Sequence, residues 1–131
     1  WCCPALKGGK FLGPAIERLL IDYQRCFSTE VDEKVLLNRY LSIIDNYHFG
    51  GYARITAELM DFMNAFHRKY GILFDPVYTG KMIYGIMDMI QAGKLAPGTR
   101  ILAIHTGGLQ GIKGMNQRLK SSGSTLLDEA N

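Results

Sequence analysis

Three short stretches of this chain hold residue types that chemistry needs more than packing does. They are DNYHFGGYARIT at 45–56, GILFDPVYTGKM at 71–82 and ILAIHTGGLQG at 101–111. A phenol beside glycine in a loop can stack on a flat ring and also exchange a proton, which makes Tyr52 and Tyr78 the leading candidates. The histidines have plainer readings. His105 suits a loop cap as well as a proton donor, His48 reads as an ordinary loop residue, and His67 beside Arg68 and Lys69 reads as solvated. Lys81, one turn into a helix, reads as a surface charge or an ion-pair partner rather than a nucleophile. Glycines 50, 51, 107 and 108 serve turns of positive φ before they serve any ligand. HTGGLQG has neither GxGxxG spacing nor a Walker lysine, so it is a weak anion-loop signal.

The elements that must carry these stretches follow from the apolar rhythm. Pro14 starts a helix with Ile16, Leu19, Leu20 and Tyr23 on one face, which predicts that this face is buried. A short helical stretch follows around Val35 and Leu36, then a brief strand over 41–44. Thr56 caps a helix whose Leu59, Phe62, Met63, Phe66 and Tyr70 form a stripe that Gly71 terminates. Residues 72–74 read as a buried strand. Met82, Ile83, Ile86, Met87, Met89 and Ile90 are apolar nearly all round, the mark of a helix covered on more than one side, ending at Gly93. Residues 101–104 are an uninterrupted apolar strand, and a last helix runs over 111–119. Strands alternating with helices predict an α/β fold, an open parallel sheet with helices on both faces. All three chemical stretches then follow carboxyl ends of strands, the edge where such sheets bind ligands.

Composition narrows the classes. The chain has 131 residues, 47% of them apolar, enough for one core and too apolar for disorder. The formal charge of +3 is scattered among interleaved acids, which argues against nucleic acid as a partner. No apolar run approaches a membrane span and no signal-peptide layout opens the chain, so a cytoplasmic protein without a membrane partner is expected. Three cysteines, two of them adjacent, lack metal spacing, and no metal site is expected.

Four motifs in order, LKGGKFL, DNYHFGGYA, GILFDPVYTGKM and ILAIHTGGLQG, make residues 4–111 resemble the carboxyl-terminal third to half of a known enzyme family. It is the family of 1-aminocyclopropane-1-carboxylate deaminase and D-cysteine desulfhydrase, pyridoxal-phosphate enzymes of the tryptophan synthase β-subunit-like fold. The resemblance implies pyridoxal 5'-phosphate as cofactor, a small amino-acid substrate, and a homodimer when complete. Residues 1–120 become a partial α/β cofactor-binding domain of a longer chain, and 121–131 a mobile tail. Tyr78 matches the tyrosine that lies against the pyridine ring and acts on substrate, with Thr79 beside it. Tyr52 matches a second active-site tyrosine. Thr106, followed by Gly107, matches the position whose hydroxyl reaches the pyridine nitrogen in the desulfhydrase branch. Ring-opening deaminases of the family carry Glu after the tyrosine and Leu in place of that threonine. Thr79 and Thr106 therefore favour β-elimination from D-cysteine, with the deaminase reaction as the alternative.

The family's Schiff-base lysine, substrate loop and phosphate loop belong before LKGG, and Lys7, Lys10, Lys34, Lys69, Lys81 and Lys94 do not sit in its lysine motif. The chain alone is therefore expected to be inactive, one part of a longer enzyme. A non-catalytic binding or scaffold module is the reading from a different class.

Overall fold

The computed structural model describes residues 7–27 and 41–129. The helical stretch expected around Val35 and Leu36 and the first six residues lie outside that range. One turn of 3-10 helix, Gly9–Phe11, leads into helix α1, Leu12–Phe27. Its apolar stripe is where the pattern put it, yet no residue of α1 is buried, and Leu19, Tyr23 and Phe27 are exposed. The expected buried face is corrected here. Spacing specifies which residues share a face, but burial needs a facing element, and among the described residues the core lies elsewhere. Tyr23 and Phe27 instead pack on each other, ring centroids 4.6 Å apart, as residues four apart on a helix can.

The core is built by three later helices. Helix α2, Ala57–Tyr70, begins where the Thr56 hydroxyl accepts from Leu59 N at 3.3 Å. It stops at Gly71, whose left-handed backbone, φ 71, lets its N–H reach His67 O. His67, Arg68 and Lys69 fill the last turn, favourable at the negative end of the helix dipole. Helix α3, Thr79–Gln91, packs against α2, and helix α4, Gly111–Ser121, buries Ile112, Met115, Asn116 and Leu119 at helical spacing. Leu59, Met60, Met63 and Phe74 meet Ile112, Met115 and Leu119 in one cluster. Burial of an aliphatic side chain such as Leu59 contributes about 1.5–3 kcal/mol. Two buried asparagines then draw the end of the described chain onto the core. Asn116 Nδ2 donates to Leu127 O and its Oδ1 accepts from Leu127 N, both at 2.9 Å, while Asn64 does the same for Leu126 O and Asp128 N.

The expected open parallel sheet is not present among the described residues. Residues 72–74 and 101–104 run without forming strands, and near 41–44 only Ile43 makes an isolated bridge. An apolar run becomes a sheet strand only when neighbours on each side take its N–H and C=O groups. No ladder is available to 101–104, and Leu102 is 89% and Ile104 66% exposed. The far face of α3 is correspondingly half-covered, with Ile90 exposed and Met82 and Ile86 lining an open groove with Ile101 and Leu102. No helix among the described residues is long and apolar enough to cross a membrane.

One packing contact carries a pH signature. Tyr84 of α3 donates its hydroxyl hydrogen bond to Glu58 of α2, and that bond, with desolvation and further acidic neighbours, pushes the phenol up to about 12. A raised phenol favours the folded state in full below pH 10 and loses that contribution as pH climbs through about 12. The pair is water-accessible, so its worth is about 1 kcal/mol or less. Tyr84→Phe should lower stability by that amount at neutral pH and remove this part of the alkaline fall. Urea midpoints measured from pH 8 to 12 check it, and an unchanged alkaline fall in Tyr84→Phe would refute it.

Candidate active site

Asp75 is the residue around which the candidate site is built. Pro76 after it disfavours helical backbone at Asp75 and cannot donate a backbone hydrogen bond, so the chain turns before α3 can begin. The buried Asp75 carboxylate closes that turn. Its Oδ1 accepts from Val77 N at 2.8 Å and Tyr78 N at 2.9 Å, and its Oδ2 from Thr79 N and Thr79 Oγ1, both at 2.7 Å. Thr79 Oγ1 in turn accepts from Asp75 N at 3.0 Å. The first N–H groups of α3 are thereby met by a carboxylate, the favourable sign at a helix N-terminus.

This turn holds the Tyr78 backbone and leaves its ring free. Tyr78 is 53% exposed and Tyr52 57% exposed, their rings edge to face with centroids 6.0 Å apart. Hydrogen bonding with the Tyr52 hydroxyl is the main cause that raises the Tyr78 phenol above its ordinary range; desolvation, Tyr52's charge and the Asp75 carboxylate add to it. Like any phenol near its ordinary range, Tyr78 is protonated and donor-capable at neutral pH, and the Tyr52 contact only extends that range upward.

The HTGG stretch closes against the same turn. His105 Nε2 lies 2.9 Å from Leu73 O, and Gly107 N donates to His105 Nδ1 at 3.1 Å. These partners assign a neutral imidazole with its proton on Nε2, and the histidine is a loop brace. Gly107 and Gly108 have φ of 88° and 87°, and a Cβ on Gly108 would stand 3.0 Å from Asp75 Cβ. Only glycine fits there without displacing the turn. Thr106 is exposed, and its hydroxyl makes no hydrogen bond among the described residues.

Of the residues singled out in the sequence, the fold brings the Tyr52 and Tyr78 rings together and sets Gly108, next to Gly107, against the Asp75 turn that carries Tyr78. Thr79 is 2% exposed with its hydroxyl bonded to Asp75, so it faces inward. Two residues escaped sequence reasoning. Asp75 drew no reading in the sequence, although an Asp whose side chain can accept from backbone N–H groups a few residues on is an ordinary turn signal. Lys81, read as a surface charge or an ion-pair partner, is 1% exposed, with Nζ donating to His48 O and Gly51 O at 2.8 Å each. The aliphatic length that suits lysine to a surface also lets it cross the core to reach those carbonyls.

No protein-family model matches the chain. Curated sequences do. A putative 1-aminocyclopropane-1-carboxylate deaminase of Pyrococcus furiosus is 46% identical over 66 residues, half of this chain and 20% of that protein. A bifunctional D-cysteine desulfhydrase/1-aminocyclopropane-1-carboxylate deaminase, mitochondrial, of Arabidopsis thaliana is 41% identical over 70 residues, 53% of this chain and 18% of that protein. A solved structure described as an ACC deaminase homologue matches 91% of this chain and 34% of its own, with a TM-score of 0.74 at 30% identity. The chain thus spans about a fifth of the length of the curated relatives it matches and a third of the solved one. The resemblance carried by the four motifs is borne out: this chain is similar to part of the enzymes named for 1-aminocyclopropane-1-carboxylate deaminase and D-cysteine desulfhydrase.

The central place of Asp75 is open to test. Asp75→Ala leaves four donors unmet, two of them on the buried Thr79, and should destabilise the protein by on the order of 3 kcal/mol. Thermal or urea unfolding checks this, and a loss below about 1 kcal/mol would show that water or a neighbour replaces the carboxylate.

Proposed function

We propose that this chain forms the tyrosine-bearing face of a pyridoxal-phosphate-dependent amino-acid lyase that eliminates sulfide from D-cysteine or a related β-substituted D-amino acid. The observation that carries the reading is the exposed Tyr52–Tyr78 pair, its Tyr78 backbone held by Asp75, against which the loop bearing the exposed Thr106 also rests through Gly108. The names of the relatives support the enzyme class.

The residues present fit the ring of the cofactor. A flat heteroaromatic ring needs an aromatic platform, which the exposed Tyr78 ring offers, and a partner for its ring nitrogen, which Thr106 offers as a neutral hydroxyl. Gly107 lets the backbone come close, and Thr79 serves the face from behind, by holding the Asp75 turn. When bound, pyridoxal phosphate supplies the electron sink that weakens the substrate's Cα–H bond. A neutral hydroxyl at the nitrogen leaves that sink weaker than a carboxylate would, so chemistry with a good leaving group is favoured. Tyr78, protonated at neutral pH, donates a proton to the departing sulfur. Tyr52, in edge-to-face contact with it, aims the Tyr78 ring. D-Cysteine and one water give sulfide, pyruvate and ammonia.

A second reading, opening of 1-aminocyclopropane-1-carboxylate to 2-oxobutyrate and ammonia, is favoured by the names of most of the similar proteins. It asks the weaker sink to break a carbon–carbon bond, and the family resemblance implies Glu and Leu in ring-opening members where this chain has Thr79 and Thr106.

The full-length protein should take up pyridoxal phosphate with its visible absorbance. It should release sulfide and pyruvate from D-cysteine faster than it forms 2-oxobutyrate from 1-aminocyclopropane-1-carboxylate. Matched assays decide between the readings, and faster 2-oxobutyrate formation would overturn the first. Tyr78→Phe should retain the cofactor absorbance and lose turnover by about 10² to 10⁴, the usual worth of a positioned proton donor. Near-normal turnover in Tyr78→Phe would remove the hydroxyl from the chemistry.

A further inference from the structure

The geometry points to Lys81 as a positioning residue: its buried ammonium, gripping the carbonyl oxygens of His48 and Gly51, fixes the strained turn that holds Tyr52 against Tyr78. The consequence for turnover rests on the lyase reading above; the consequence for the tyrosines does not.

The turn is strained on its face. Phe49 and Ala53 both have φ of 51°, a left-handed backbone that residues with a Cβ adopt only when their surroundings insist on it, and Gly50 and Gly51 between them have φ of 92° and 123°. Tyr52 is thus bracketed by left-handed residues. Inside the turn, Gly51 N donates to His48 O, Arg54 N to Gly51 O, and Gly50 N to His48 Nδ1. Those bonds shape the turn but are internal to it, and none says where it lies relative to α3. At its entry, Tyr47 donates to Asp88 and Phe49 packs edge-on against Tyr84 of the same helix. At the Tyr52 end the grip is Lys81, which takes the second lone pair of each of the two carbonyls at 2.8 Å.

Lys81 also stands three residues beyond Tyr78, on the first turn of α3. The helix start that presents one tyrosine therefore holds the loop that presents the other, and a shift of that start moves both together. An aliphatic side chain would fill the same space. An ammonium in the core is unfavourable unless it is hydrogen-bonded, and two of its acceptors, His48 O and Gly51 O, belong to the turn that needs restraint. With the grip lost, each carbonyl keeps one backbone partner, so the turn survives while its register on α3 loosens.

The test uses the full-length protein with Lys81→Met, Tyr52→Phe and the double variant. The Tyr78 phenol is titrated by NMR with carbon-labelled tyrosine, its resonance assigned by Tyr78→Phe. In Lys81→Met the Tyr78 titration should fall toward the ordinary phenol range, as in Tyr52→Phe, and the double variant should add nothing further. On D-cysteine, kcat should drop about 10- to 100-fold in Lys81→Met, with KM and cofactor absorbance little changed, the pattern of a misplaced reacting group. An unchanged Tyr78 titration in folded Lys81→Met overturns the proposal, as does an additive effect in the double variant. If Lys81→Met does not fold, Lys81→Gln is judged by the same titration. If the wild-type protein turns over no amino acid, the lyase reading fails while the titration still decides the role of Lys81.

Discussion

One buried carboxylate organises the chemistry-bearing half of this molecule. Asp75 meets three backbone N–H groups and one hydroxyl within four residues, and its own side chain is the surface on which Gly108 rests. That single constraint starts α3, turns the Tyr78 ring outward and seats the HTGG loop. A carboxylate this deeply enclosed would be unfavourable without such a full set of donors. Because the donors lie in the next four residues, they form with the turn itself rather than by distant assembly.

The second layer of organisation is long-range. Tyr52 arrives at Tyr78 from a loop some thirty residues earlier, across backbone that left alone would avoid left-handed φ at Phe49 and Ala53. Packing on Tyr84, the Tyr47–Asp88 hydrogen bond and the Lys81 ammonium together hold it there. The result is a pair of exposed phenols in edge-to-face contact, the Tyr52 hydroxyl raising the Tyr78 phenol above its ordinary range. Exposed rings with buried supports are what a ligand-facing edge requires: the groups that touch are free, and those that aim them are not.

The similar proteins fit this division. Identity of 41–46% is confined to about a fifth of each curated sequence, while the backbone path agrees over most of this chain with a third of a solved relative. A single face of a larger site is consistent with a structure that has well-built tyrosine and threonine loops and an apolar run at 101–104 that no ladder covers.

Much of this was written in the order of residues. Helices α2 and α4 are legible because the apolar positions repeat at helical spacing, and Thr56 and Gly71 mark the ends of α2 through local backbone chemistry that needs no partner. The turn reading of glycines 50, 51, 107 and 108 was legible because residues of positive φ favour glycine, and all four have it. What lay beyond the sequence was everything that depends on a neighbour. The apolar stripe of α1 and the run at 101–104 have the pattern of buried elements, yet burial and sheet pairing are properties of two segments, and among the described residues the second segment is not there. Lys81 reads as a surface charge or an ion-pair partner because lysine usually is one or the other; only the folded chain brings two carbonyls within 2.8 Å of its ammonium and makes the interior its place.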